Sequence, residues 1–221
     1  VRIESLISGY RGLAMAVEQF FDAPTAWVSD ADKGACKILA HRYPDVPNLG
    51  DITSIDWAAV EPVDIITGGS PCQDLSHAGK RSGMTEGTRS NLWVAMREAI
   101  AQIKPSIVVW ENVRGAYSAT ADSGLEHCPR CMGDPANRGP VLRALGRVLG
   151  DLSDIGYDTQ WRGLRAADVG APHGRFRVFV LAHRRDAPHA NLPRPQRPYD
   201  PQGTTPPQRR GHTLAGADRD S

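Results

Sequence analysis

The sequence predicts an α/β fold, a mostly parallel sheet covered by helices with an antiparallel strand near its C-terminal end. Three observations predict it. Over the first 183 residues, apolar runs of strand length alternate with amphipathic stretches of helical period. Strand and helix alternating at this spacing imply crossover connections, and hence parallel strands. Residues 63–67 (VDIIT) form a largely apolar run, which suits a strand buried on both faces.

Residues 2–7 read as the first strand and residues 9–12 as a tight turn. Leu13, Ala16, Val17, Phe20 and Phe21 then fall on one face of a helix. Residues 26–29 form a second short strand, followed by a helix from Asp32 to about His41. The strand at 63–67 is closed by Gly68 and Gly69. Residues 91–103 are helical, and Lys104-Pro105 stops them ahead of a strand at 107–110. Val141, Leu142, Leu145, Val148, Leu149, Leu152 and Ile155 form an apolar stripe at helical spacing. Residues 159–164 and 177–182 close the domain as two strands of a hairpin around a turn at 170–174.

Two segments fall outside this pattern. Residues 115–139 read as a polar insertion, and from Arg184 onward the chain is rich in proline and arginine and poor in aliphatic residues. The expected organisation is a catalytic domain over residues 1–183 and a linker or tail over 184–221.

Composition narrows the class. A length of 221 residues fits one domain with a tail. No apolar run reaches the roughly 20 residues of a membrane helix. No charged stretch leads into an apolar one at the N-terminal end, so nothing reads as a secretory signal. A cytoplasmic location is expected, with no membrane partner. Four scattered cysteines do not make a disulfide framework and are expected to be reduced. The net charge of +1 neither requires nor excludes nucleic acid, because binding follows local charge.

In folds of this kind ligands sit outside the carboxyl ends of the strands. Polar, glycine-rich turns after Ile7 and Thr67 and the turn after Trp110 lie at that edge. Gly68-Gly69-Ser70-Pro71-Cys72-Gln73 displays a cysteine in a loop leaving a buried strand, with Lys80 and Arg81 near enough in sequence to favour its thiolate. An inert buried cysteine is the competing reading. Glu111-Asn112-Val113 brings a carboxylate to the same edge, unless it merely caps the next segment. Arg175-Phe176-Arg177 sets two guanidinium groups on one side of a strand, which suits phosphates or, equally, a solvated sheet face. His127, Cys128 and Cys131 supply half of a zinc site but no second pair of ligands, so no metal is expected.

Taken in order, these residues resemble the cytosine-5 DNA methyltransferase family over residues 3–183. Ser5-Leu6-Ile7-Ser8-Gly9-Tyr10-Arg11-Gly12 is similar to the family's first cofactor motif, and Asp30 to the acidic residue that holds the ribose hydroxyls of S-adenosylmethionine. Gly50-Asp51-Ile52 resembles the adenine-contacting motif, Ser70-Pro71-Cys72-Gln73 the nucleophile loop, and Asn91-Leu92 the segment lining the methionine end of the cofactor. Glu111-Asn112-Val113 matches the glutamate motif, and the stretch from Gly170 to Arg177 resembles the paired-arginine motif. The chain departs from the family at Arg11, where glycine is usual, at Ile7, where a phenylalanine packs on the adenine, and at His173, where glutamine is usual.

The resemblance implies a Rossmann-like, S-adenosylmethionine-dependent methyltransferase fold acting on double-stranded DNA, of a bacterial or phage modification type. It implies Cys72, Glu111, Arg175 and Arg177 as catalytic residues. Ile7, Ser8, Gly9, Gly12, Asp30, Asp51, Ile52, Pro71 and Leu92 are the implied cofactor-binding residues. The family's target-recognition region and its last two motifs have no match in residues 184–221, so a further C-terminal segment or a second polypeptide is an expected partner. An inactive or regulatory remnant and an RNA cytosine-5 methyltransferase are the alternatives.

Overall fold

The computed structural model describes residues 1–69, 92–118 and 143–187. In chain order the elements are β1 (Ile3–Leu6), α1 (Gly12–Phe21), β2 (Thr25–Ser29), α2 (Lys33–Arg42), β3 (Ile65–Gly68), α3 (Leu92–Ile103), β4 (Ile107–Val113), α4 (Ala144–Asp154), β5 (Tyr157–Arg165) and β6 (Phe176–Arg184). The strands form a single sheet in the order β2-β1-β3-β4-β6-β5. β1 pairs in parallel with β2 and β3, and β3 pairs in parallel with β4. β6 runs antiparallel to both β4 and β5. The mostly parallel sheet and its antiparallel C-terminal strand are therefore as expected.

The parallel strands are buried on both faces, which is why β3 reads as apolar without alternation. On one face Trp93, Met96 and Ile100 of α3 and Leu145, Val148 and Leu152 of α4 share the main core with Trp110, Val178 and Val180. The two helices are tied together where Trp93 Nε1 donates to Asp151 Oδ2 at 2.7 Å. On the other face, Val17 of α1 joins Ile3, Ile65 and Ile107 in a smaller cluster.

The structure differs from the sequence reading in several places. α1 buries Ala14 and Val17, whereas Phe20 is 47% exposed and Ala16 is also exposed. The buried face is turned by one position from the expected one, because Phe20 packs edge-on against Phe21 rather than against the sheet. β4 continues through Glu111, Asn112 and Val113, which the reading had put after the strand, because β6 keeps pairing with it as far as Val113. Arg114–Tyr117 form a 3-10 turn in which Gly115 and Ala116 are buried, so the polar insertion starts later than residue 115. At the far end β6 includes Arg184, and Ala187 is buried. His127, Cys128 and Cys131 lie outside the described residues.

One buried group runs against the logic of the core. Glu4 in β1 is fully buried between Trp27 and Ile66 in the strand register, and neither carboxyl oxygen has a hydrogen-bond partner. Burial pushes its carboxyl well above the usual carboxylate range, favouring the neutral form in the folded chain. The unfolded chain ionises at the ordinary value. Stability from this group is therefore complete below the unfolded pKa and is lost as pH rises toward the folded one. Glu4→Met keeps the volume and removes the unpaired oxygens. It should raise the unfolding free energy at pH 8 by about 1–3 kcal/mol, with a smaller gain at pH 5. Urea midpoints of both proteins at the two pH values check this, and an equal gain at both would contradict a neutral Glu4.

Candidate active site

The site is assembled at the carboxyl ends of β1, β3 and β4. The β1–α1 turn is the first wall. Ile7, Gly9 and Arg11 all have positive φ, at 52°, 51° and 68°. Two of these are not glycine, and a left-handed conformation costs an ordinary residue about 1–2 kcal/mol. The turn is held by specific hydrogen bonds. The Gly9 amide donates to Asp30 Oδ2 at 2.7 Å, the Ser8 amide to the Ser29 carbonyl at 3.3 Å, and Ser8 Oγ to the Ser5 carbonyl at 2.6 Å. Gly12 follows as the first residue of α1.

Asp30 follows directly on β2 and is only 8% exposed. Its second oxygen, Oδ1, accepts from the Asp32 amide at 2.8 Å. Asn48 grips its main chain from both sides, accepting from the Asp30 amide and donating to the Asp30 carbonyl. Asn48 belongs to a segment that bridges to Val28 in parallel, and this carries Asp51 toward the same edge. The Asp51 carboxylate accepts from the amide and hydroxyl of Thr53, which holds it below the usual carboxylate range. The Ile52 side chain is buried in the main core, and Leu92 packs partly buried against that core at the start of α3. Asn48 was not singled out from the sequence; an asparagine in a loop carries no signal until its partner is known.

The second wall comes from β4 and β6. Val113 pairs with Arg177, and Glu111 pairs with Phe179. Glu111 and Arg177 are thus diagonal neighbours on one face of the sheet. Arg177 Nε meets Glu111 Oε1 at 2.6 Å, with both side chains partly exposed. Arg175 lies one residue before β6, so it is not on the strand face that alternation assigned to it. It nevertheless lines the same cavity as Arg177 and Glu111.

The third wall begins at the end of β3. A Cβ on Gly69 would come within 2.5 Å of the Glu111 carbonyl oxygen, and one on Gly68 within 2.8 Å of the Leu6 carbonyl oxygen. Glycine is required at both positions for the chain to pass between β1 and β4. Cys72 and Pro71 follow within three residues and lie outside the described residues.

These walls enclose a cavity of about 650 Å³, lined by the 5–14 segment, Gly68, Gly69, Glu111, Arg175 and Arg177. Of the expected site residues, the cavity gathers Ile7, Ser8, Gly9, Gly12, Glu111, Arg175 and Arg177. Asp30, Asp51, Ile52 and Leu92 do not line it. Leu164 and Arg165 at the end of β5, and Ala166 and Val169 in the 3-10 turn that follows, also line it, beyond the expected set. Among the described residues, no group of three or more His, Cys, Asp or Glu is arranged to hold a metal ion, and no helix is long and apolar enough to cross a membrane.

Comparison with known proteins fits this arrangement. Type II methyltransferase M.NlaIV of Neisseria lactamica is 29% identical over 193 residues, covering 85% of this chain and 42% of that protein. The chain therefore spans less than half of that relative. Type II methyltransferase M.AquIA of Picosynechococcus is 31% identical over 192 residues, covering 83% of this chain and 72% of that protein. The fold is similar to the crystal structure of S. pombe Dnmt2 methyltransferase, with a TM-score of 0.58 at 18% identity over 84% of this chain and 51% of that one. The model of the C-5 cytosine-specific DNA methylase family matches residues 1–213, and the chain belongs to that family.

Proposed function

We propose that this chain is the catalytic part of an enzyme that transfers a methyl group from S-adenosylmethionine to carbon-5 of cytosine in double-stranded DNA. We further propose that it does so through a covalent Cys72 adduct, in a bacterial or phage modification system. The observation that carries this reading is the Glu111–Arg177 pair in a cavity whose other walls are the β1–α1 turn and Gly68-Gly69. The loop bearing Cys72 leaves the described fold from beside Glu111, as the nucleophile of a base held there must.

The residues present fit the cofactor. Both Asp30 oxygens accept one amide each, and a carboxylate oxygen has a second acceptor site for a ribose hydroxyl. Asp51 adds a carboxylate at the same edge, outside the cavity of which the Ile7–Gly12 turn forms a wall. When bound, S-adenosylmethionine supplies an electrophilic methyl group. The chain's own residues do the rest. A cytosine in a duplex must be flipped out to enter the cavity. The Cys72 thiolate adds to carbon-6, forming a carbon–sulfur bond and moving the electron pair of the 5,6 double bond toward carbon-5 and the N3 side of the ring. Glu111 meets N3 as a carboxylic acid, its O–H donating to N3 and so stabilising the negative charge that develops there, while Arg177 on its other oxygen keeps the carboxyl oriented. Carbon-5 gains the methyl; loss of its proton and expulsion of the thiolate restore the double bond. Arg175, more exposed at the rim, is placed to meet the backbone of the flipped nucleotide.

A further segment, covalently attached or separate, is the proposed partner for target recognition. Phe179, Leu181 and Leu164 are partly exposed on the α1 side of the sheet, where α1 packs over β1 and β3 instead. An apolar strip of this kind on a sheet face favours a covering element. The coverage of M.AquIA shows that type II methyltransferase polypeptides little longer than this chain exist.

Cys72→Ala should abolish methyl transfer to duplex DNA while leaving S-adenosylmethionine binding intact. Wild-type chain with its C-terminal complement should also trap DNA containing 5-fluorocytosine, because fluorine cannot leave as a proton does; turnover by the mutant would falsify the nucleophile. Asp30→Ala should weaken cofactor binding by roughly 1.5–3 kcal/mol, read by calorimetry; unchanged affinity would remove Asp30 from the cofactor site. The chain alone should methylate a random-sequence duplex pool weakly and without sequence preference. Robust methylation confined to one short sequence would show that it needs no partner for recognition, and methylation of transfer RNA in place of DNA would favour the RNA reading.

A further inference from the structure

Arg11 stands in the cofactor turn where this family usually has glycine, and its backbone adopts the left-handed conformation that glycine favours, with φ 68°. The main chain of Arg11 is part of the turn itself. Its amide donates to the Ser8 carbonyl at 2.7 Å, and its carbonyl accepts from the Met15 amide at 2.9 Å. The side chain leads away from the turn and is 1% exposed. Nη2 donates to Glu18 Oε1 at 2.6 Å, about two turns along α1, and to Thr25 Oγ1 at the start of β2. The guanidinium carbon lies 4.0 Å above the centre of the Tyr43 ring, at the C-terminal end of α2. A single side chain thus fastens the turn to α1, β2 and α2 at once.

Glycine would meet the backbone requirement here without strain. Arginine meets it at a cost, so its presence calls for work that only the side chain does. We propose that Arg11 is a positioning residue for S-adenosylmethionine: through Glu18, Thr25 and Tyr43 it holds the Ile7–Gly12 turn in its binding shape before the cofactor arrives. It acts through the turn, not by touching the cofactor. A turn held in advance loses no conformational freedom on binding, so the strut appears as affinity. The inference rests on the cofactor reading proposed above.

The test is calorimetric affinity for S-adenosylhomocysteine, measured with the full chain well below the unfolding midpoint of every variant. Arg11→Gly keeps the left-handed turn unstrained and removes only the strut; it should weaken affinity about tenfold or more. Tyr43→Leu leaves the ion pair and removes the ring, and should weaken affinity about threefold to tenfold. Arg11→Lys, which restores the charge opposite Glu18 without the planar face, should recover part of the loss. As a control, Arg185→Ala breaks the exposed pair with Asp158 remote from the turn, and should lower the unfolding midpoint without moving affinity. If Arg11→Gly does not fold, Tyr43→Leu decides. Wild-type affinity in the variants that fold would overturn the strut alone, whereas a wild-type chain that binds no S-adenosylhomocysteine would overturn the cofactor reading with it.

Discussion

Because β6 runs antiparallel to β4 and pairs with it from Ile107 to Val113, residues far apart in sequence meet at the end of the sheet. The register fixes which ones meet. A slip by one residue would turn Arg177 to the opposite face and bury its charge in the main core where Val178 and Val180 now sit. The same pairing keeps β4 extended past Trp110, so that Glu111 projects from a strand and not from a loop. A carboxylate carried on a strand and opposed by a guanidinium at 2.6 Å is held more tightly than one on a mobile turn. The cavity and the passage of Gly68 and Gly69 beside Glu111 both follow from where this strand ends.

The β1–α1 turn depends on a different kind of constraint. Its three left-handed residues are each unfavourable or neutral alone, and the turn exists because surrounding groups over-determine it. Asp30 holds it from the β2 side and Arg11 from the α1 side. Asn48 then fixes Asp30, so the position of the turn is set by residues three elements away. Binding surface of this sort is rigid without being hydrophobic, which suits a ligand recognised mainly through backbone and carboxylate groups.

Much of this was legible in the sequence, for reasons that can be named. The element order followed from periodicity, and the placement of Ile7, Gly9, Gly12 and Glu111 at one edge followed from strand ends in a parallel sheet. What escaped notice was set by pairing across the sheet. The run Glu111 to Val113 has no feature that distinguishes a strand from a cap until β6 is laid beside it. Arg175 and Arg177 alternate as a strand would, yet only Arg177 lies in one. Periodicity alone does not orient α1, because Phe20 is as hydrophobic as Val17, yet Phe20 stays exposed with its ring against Phe21. Asn48 and Arg11 looked like a loop residue and a departure from a motif; their roles appear only when their partners are known.

Three carboxyl groups in this fold show why burial alone does not define a site. Glu4 and Asp30 are both buried, one in β1 and the other just past the end of the neighbouring β2. Neither Glu4 carboxyl oxygen has a hydrogen-bond partner, and burial favours its neutral form, which has little pull on a cation. Asp30 accepts two amides at 2.7 and 2.8 Å, which turns a buried charge into a structural anchor with acceptor capacity left over. Glu111 is less buried than either and has a guanidinium as its partner. A group that must act on a substrate needs both access and a fixed direction, and of the three only Glu111 has both. Of the three, Glu111 suits the proposed chemistry, Asp30 is a structural anchor for the β1–α1 turn, and Glu4 is where the fold bears a cost in stability.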